Sequence, residues 1–228
     1  MPESAPQVAV IDYGMGNLFS VRNACRRVGL DATVTSDPAV AAASGALILP
    51  GVGAFGDGMQ ALRDLGMTRV ILDAAESGKP ILGICLGAQL LMTESEEFGR
   101  FKGLGLLRGP VRRFQGPQEE GRPLKIPHVC WSPIRHPDAM QAAPWRGTLL
   151  DSVAEGEYMY FVHSYVLMPE DRAMVLSFSR YGQVEFCSSL RAGSIYACQF
   201  HPERSGPPGL TVYANLRRLL LERGRNER

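Results

Sequence analysis

Cys85 stands in the stretch GICLG, between Gly83 and Gly87, where the apolar run ILGI gives way to LGAQLL. Two readings fit a cysteine in this setting. Free cysteine is commonly a small buried hydrophobe. A cysteine on a tight turn between a strand and a helix is instead a nucleophile held out on an elbow. Such a turn needs small residues on both sides, which Gly83 and Gly87 supply, and a helix starting just after the thiol favours thiolate. A thiolate nucleophile requires a proton acceptor, and the acceptor an orienting partner. Of the four histidines, His201 is the one that closes an apolar segment, IYACQFHPE, with a carboxylate two residues on, Glu203. Residues i and i+2 of an extended segment share a side. Glu203 is therefore expected to hold one imidazole nitrogen while the other faces Cys85; a strand-end histidine beside a surface glutamate is the plainer alternative. A third element is PGVGAF at 50–55. Its glycines expose backbone N–H groups that can stabilise an oxyanion together with the N–H after the nucleophile. An ordinary glycine-rich surface loop fits the same residues.

The elements that must position these groups follow from periodicity. VAVID at 8–12 reads as a strand meeting the turn YGMGN, and the next segment has Val21, Ala24, Cys25 and Val28 at helical spacing. DATVTSD at 31–37 reads as a strand, ALIL as a third, Met59–Gly78 as helical, KPILGI as a fourth strand and LGAQLLMTES as a helix. Strand and helix in alternation mean a parallel sheet with helices on its faces. In open α/β sheets ligands bind at the carboxyl ends of the strands, where the Cys85 turn and the 50–55 loop both fall. From about residue 100 short alternating stretches separated by Gly and Pro suggest antiparallel or mixed strands added to the same core. A last helix is expected over 208–223, with Leu210, Tyr213, Leu216, Leu219 and Leu220 on one face. No linker-like break interrupts the chain, so one domain over 1–228 is expected, with residues 1–7 as a disordered tail.

Composition narrows the function classes. The 228 residues carry 24 Lys+Arg against 23 Asp+Glu, a formal net charge of +1. That balance argues against nucleic acid or an anionic membrane as the main ligand. The C-terminal arginines are interleaved with Glu222 and Glu227, as at a solvated helix end. No run approaches the roughly 18 apolar residues of a membrane span, and MPESAPQ has neither basic nor apolar signal-peptide character. Five cysteines are scattered without a CxxC pair, which fits neither a disulfide framework nor a zinc site. A cytoplasmic setting without metal is expected.

Taken jointly, PGVGAFGDGM, GICLGAQLL and QFHPERS resemble the class I, triad-type glutamine amidotransferases. IDYGMGNLFSV, IPHVCW and YFVHSY narrow the resemblance to the glutaminase subunits of imidazole glycerol phosphate synthases, from about Val8 to Leu220. The resemblance implies an open, mostly parallel α/β sheet with helices on both faces and extra mixed strands in the C-terminal half. It implies that Cys85 attacks the side-chain amide of glutamine, with His201 and Glu203 completing a triad and no cofactor taking part. Val52, Gly53 and the backbone of Leu86 would form the oxyanion hole, and Gln89, Glu97, Ser164 and Tyr165 would hold the amino-acid end of glutamine. Ammonia would pass to a (β/α)8-barrel cyclase in a heterodimer, which makes imidazole glycerol phosphate and an aminoimidazole carboxamide ribotide. Asn17, Trp131 and Arg204 would face that partner, although Trp131 also fits a half-buried core aromatic. Four positions depart from the family's usual residues: Ala88, where methionine is commoner, Cys130 for glycine, Ser132 for asparagine and Arg204 for lysine. A paralogue feeding another synthase, as in sugar amidination, and a non-catalytic docking subunit are the alternatives. Because idle hydrolysis wastes glutamine, the 50–55 loop is expected to rest in an inactive conformation that a peptide flip at its glycines would correct.

Overall fold

A computed structural model of the chain describes residues 5–137 and 145–226. The first half alternates as expected: β1 (Gln7–Ile11), α1 (Leu18–Arg27), β2 (Asp31–Thr35), α2 (Pro38–Ala43), β3 (Ala46–Leu49), α3 (Phe55–Asp64), α4 (Met67–Glu76), β4 (Ile81–Ile84) and α5 (Leu86–Leu90). The second half is strand-rich. It runs β5 (Met92–Ser95), β6 (Phe101–Lys102), β7 (Leu107–Arg113), β8 (Gln118–Glu119), β9 (Arg122–Pro123), β10 (His128–Pro133) and β11 (Tyr158–His163). β12 (Tyr165–Leu167), β13 (Val175–Tyr181), β14 (Val184–Ala192) and β15 (Ile195–Cys198) follow, and α6 (Gly206–Asn226) closes the fold.

One sheet of 11 strands runs through the molecule in the order β2-β1-β3-β4-β15-β14-β12-β7-β5-β6, with β13 added on β14. β2, β1, β3, β4 and β15 are mutually parallel, and the added strands are mostly antiparallel. Alternate residues of the central strands point to opposite faces. Val8, Val10, Ile48, Leu82 and Ile84 pack with Val21, Cys25, Val212 and Leu216 of α1 and α6. Ala9, Ile11, Leu47, Leu49 and Ile81 pack on the other side with Met59, Leu62, Met67 and Ile71 of α3 and α4. Each such side chain contributes about 1.5–3 kcal/mol when fully buried, which is why the central strands read as continuous apolar runs.

Several expectations need correction. The helical stretch from Met59 is two helices, α3 and α4, because Gly66 takes a left-handed φ of 70° between them. LGAQLLMTES is not one helix: α5 stops at Leu90, and Met92–Ser95 pairs with β7 and β6 as a strand. The second strand ends at Thr35, since Asp37 accepts the Ala39 N–H and caps α2 with Pro38 in its first turn, a short helix the periodicity did not show. Of the expected 1–7 tail, residues 1–4 lie outside the described residues. Pro6 and Gln7 are bound into the sheet, their carbonyls accepting from the Asp31 and Gly45 N–H groups.

Strand order decides what meets at the carboxyl edge. β4 and β15 are parallel neighbours in the register Ile84↔Cys198. The residues that follow them, Cys85 on one side and Gln199 to His201 on the other, therefore emerge side by side. β3 pairs with β4 on its opposite flank, so the 50–54 loop emerges there too. β10 and β11 form a separate two-stranded ribbon that pairs His128 with His163 and Trp131 with Tyr160.

Candidate active site

Cys85 sits between β4 and α5 with φ 53° and ψ −108°, a backbone conformation an L-residue adopts only under constraint. The constraint is visible in its neighbours. A Cβ on Gly87 would land on the Leu49 carbonyl, and one on Gly83 would lie 2.6 Å from Leu91 Cδ1 and 2.9 Å from the Ala88 nitrogen. The turn is pinned by the Cys85 N–H, which donates to the Cys198 carbonyl at 2.8 Å. Cys85 is 6% exposed, and its Sγ has the Val162 carbonyl at 3.6 Å and the Gln199 amide nitrogen at 3.9 Å.

His201 Nδ1 and Glu203 Oε1 are 2.8 Å apart, and both side chains are buried. They meet around a short 3₁₀ turn, Pro202–Arg204, rather than along the extended segment the spacing suggested. The His201 backbone is held by its N–H to the Tyr160 carbonyl and by the Ser205 hydroxyl to its own carbonyl. Burial works against the imidazolium, but Cys85 and Glu203 outweigh it and raise His201 above its ordinary value. His201 Nε2 is enclosed and makes no hydrogen bond of ordinary geometry among the described residues. Loose contacts between catalytic groups are common before substrate closes the site. A thiol on an elbow with an imidazolium close by is an arrangement able to attack a carbonyl and protonate a leaving group.

Val52, Gly53, Cys85, Leu86, Gln89, Glu97, Ser164 and Tyr165 line one cavity of about 230 Å³, together with Pro127, Val162 and His163. His201 and Glu203 are not in its wall. The Gln89 amide nitrogen donates to the Tyr165 carbonyl and to Gln199 Oε1, each at 3.2 Å. Glu97 Oε2 accepts the Phe55 N–H at 2.7 Å, at the start of α3. Burial holds the Glu97 carboxyl above its ordinary range, opposed by that N–H and helped by Asp57. The loop at 50–54 is anchored by the Tyr13 hydroxyl, which donates to the Pro50 carbonyl at 2.7 Å. The Leu86 N–H is engaged by the Gly51 carbonyl at 3.3 Å. That contact ties the first turn of α5 to the 50–54 loop.

The remaining candidates lie nearby on the surface. Arg204 stacks over the Tyr160 ring at 4.6 Å, and Tyr160 meets Trp131 edge-on at 5.9 Å and His201 at 6.3 Å. Trp131 is 49% exposed, so about half of its side chain faces solvent. Asn17 is exposed and caps α1, its side chain accepting the Ser20 N–H at 3.2 Å. Spacing alone did not reveal His163, Val162, Pro127 or the Tyr160 bridge; the quoted stretches IPHVCW and YFVHSY carry them, but only β10–β11 pairing brings them to the cavity. A larger cavity of about 690 Å³ opens between β12 and β13, lined in part by Arg112, Phe114, Arg172 and Phe186, and contains none of the candidate residues.

The family profile of class-I glutamine amidotransferases matches residues 9–217. The chain belongs to the class-I glutamine amidotransferase family. Within it, the chain is 47% identical over 209 residues to the imidazole glycerol phosphate synthase subunit HisH of Syntrophotalea carbinolica, covering 91% of this chain and 98% of that one. It is 43% identical over 213 residues to HisH of Geobacter sulfurreducens, covering 92% and 97%. Among solved structures, PurLQS from Thermotoga maritima aligns at 21% identity with a TM-score of 0.70, over 95% of this chain and 99% of the other. At that identity the likeness speaks for a shared amidotransferase fold. Among the described residues no helix is long and apolar enough to cross a membrane.

Proposed function

We propose that this chain is the glutaminase subunit of an imidazole glycerol phosphate synthase, a single-domain cytoplasmic protein working as a heterodimer with a (β/α)8-barrel cyclase. The observation that carries the reading is the Cys85 elbow beside a buried His201–Glu203 pair, 2.8 Å apart, in a chain 47% identical to a HisH subunit. Glutamine fits the cavity with its side-chain amide at Cys85 and its amino-acid end toward Gln89, Glu97, Ser164 and Tyr165. The thiolate Sγ bonds to the amide carbon and the carbonyl π pair moves onto oxygen, which the N–H groups of Val52 or Gly53 and Leu86 receive once the loop turns over. The C–N bond then breaks as His201 Nε2–H gives its proton to the departing nitrogen, leaving ammonia and a thioester. In the second half His201 takes a proton from water, the hydroxide adds to the thioester carbon, and the C–S bond breaks to restore the thiolate and release glutamate. Glu203 keeps the imidazole oriented and steadies its charge throughout.

Free ammonia is mostly ammonium at neutral pH and is then no nucleophile, so production and consumption belong in one closed assembly. Trp131, Arg204 and Asn17 are the proposed contacts with the cyclase. The test is glutamine hydrolysis with and without the cyclase and its nucleotide ligand. Wild type is stimulated by the loaded cyclase, and Cys85→Ser abolishes glutamate formation. Retained hydrolysis in Cys85→Ser refutes the thioester route. A cyclase that neither binds nor stimulates wild type refutes the histidine-pathway assignment and leaves the glutaminase chemistry standing.

A further inference from the structure

The Tyr165 carbonyl takes two hydrogen bonds, from the Gln89 amide nitrogen at 3.2 Å and from His163 Nδ1 at 2.9 Å. A carbonyl oxygen only accepts, so it fixes the sense of every group joined to it. Turned over, the Gln89 amide would set its own oxygen against that carbonyl, and its NH2 group therefore faces Tyr165. The same NH2 group meets Gln199 at 3.2 Å, where only the Gln199 oxygen can receive it. The Gln199 nitrogen is thereby sent the other way, to 3.9 Å from Cys85 Sγ. Which way a side-chain amide points follows from its hydrogen-bond network, and this network leaves one choice at each step.

The place of Gln199 is equally determined. It directly follows β15, whose last residue, Cys198, pairs with Ile84 beside the Cys85 turn. Its backbone N–H donates to the Ser188 carbonyl of β14 at 2.9 Å, and the residue is wholly buried. An enclosed amide needs acceptors for its hydrogens. Among the described residues, the acceptor its nitrogen meets is the sulfur of Cys85.

We propose that Gln199 is a further catalytic residue, its amide donating a hydrogen to Cys85 Sγ and stabilising the sulfur whenever it is charged. That happens twice in each turnover: before the thiolate attacks, and again as the C–S bond breaks. Hydrogen bonds to ionised acceptors are shorter and about twice as strong as neutral ones, so the 3.9 Å contact tightens as charge gathers on sulfur. The amide also links Sγ to Gln89, which ties the nucleophile to the end of the cavity assigned to the amino-acid group of glutamine. The role rests on the thioester reading above, and it adds a donor on the sulfur side, separate from the N–H groups that serve the oxyanion.

The test compares wild type with Gln199→Met, an unbranched apolar side chain of similar length, in the complex with the cyclase. Alkylation of Cys85 by iodoacetamide near neutral pH, followed at that residue by mass spectrometry, reports the thiolate with no glutamine present. The expected result is alkylation about tenfold slower than in wild type, the worth of one hydrogen bond to a charged group, and a kcat for glutamine hydrolysis lower by about the same factor. Loosened packing alone has the opposite sign, because a more open cavity admits the reagent faster. Alkylation as fast as in wild type, or faster, overturns the proposal. A second measurement needs no variant: a crystal structure of the wild-type complex shows Gln199 Oε1 on Gln89 and Nε2 on Sγ, and an amide turned away from the sulfur overturns the proposal. Cys85→Ala in the hydrolysis assay separates the two ideas. If it still hydrolyses glutamine the thioester reading falls; if it is inactive while Gln199→Met behaves as wild type, only the role of Gln199 falls.

Discussion

Gly87→Ala puts the elbow to a test in which two effects have opposite sign. Gly87 lies inside α5, where replacing glycine by alanine ordinarily gains about 1 kcal/mol of helix propensity. Its Cα, however, faces the backbone of β3. A new Cβ would lie 2.7 Å from the Leu49 carbonyl carbon and closer still to its oxygen, whereas carbon atoms in contact sit about 3.5–4.0 Å apart. The oxygen is the closer atom and sets the demand, so helix and strand must part by more than about 1 Å. Backbone yields less readily than a side chain, so the upper end of the overpacking range applies, about 3 kcal/mol. The net loss is about 2 kcal/mol, a fall in Tm of about 4–8 °C for a chain of this size. The same displacement carries Cys85 and the Leu86 N–H away from the 50–54 loop, and a 1 Å misplacement of reacting groups costs on the order of 10²-fold in rate. Thermal melting of the isolated chain and glutamine hydrolysis by its complex with the cyclase read the two effects separately. A variant that melts higher than wild type, or hydrolyses glutamine within threefold of it, would refute the close-approach argument.

Three further outcomes follow from the geometry. Trp131→Ala removes an exposed aromatic flanked by Tyr160 and weakens cyclase binding at least about tenfold by titration calorimetry, with little change in the Tm of the free chain. Burial holds His128 down to about 4, and burial with His128 alongside holds His163 down to about 3, from an ordinary 6.5. Folded-state values below the unfolded ones mean stability is complete above pH 6.5 and declines as pH falls toward 4 and 3. Urea midpoints should therefore drop steadily below pH 6.5, and His128→Phe should flatten that slope; an unchanged slope would contradict the burial argument. Tyr13→Phe leaves the Pro50 carbonyl buried without its donor and lowers stability by about 1–3 kcal/mol, read as a Tm shift.

How much of this was legible in the sequence depends on how far apart the interacting residues are. Gly83, Cys85 and Gly87 declare a tight turn because the sterics of a strand-to-helix reversal act within five residues. His201 and Glu203 are similarly local, although a 3₁₀ turn and not an extended strand joins them. The parallel core could be read from apolar runs, yet α2 and β5 could not. Six residues of Pro38–Ala43 are too few to show a period, and Met92–Ser95 continues the composition of α5 before turning into a strand. The cavity wall was the least accessible part. His163 reaches it because β10 and β11 pair in a register that sets His128 Nδ1 3.0 Å from His163 Nε2, and register between strands separated by a long connection leaves no local trace.

Read as the resting state of the proposed mechanism, the hydrogen bond from the Leu86 N–H to the Gly51 carbonyl also sets a ceiling on stimulation. On the proposed mechanism, a molecule whose loop is turned the other way is competent whether or not a partner is present. The greatest stimulation any partner can produce is then the reciprocal of the fraction already turned, about 1.4 kcal/mol of loop preference for each factor of ten. Substitutions that favour the turned loop should raise unpartnered hydrolysis and reduce the stimulation factor in proportion, leaving the fully stimulated rate almost unchanged. Variants of Gly51 and Val52 would then fall on one line relating idle rate to stimulation, and the position of the natural chain on that line measures how tightly its own carbonyl keeps it waiting.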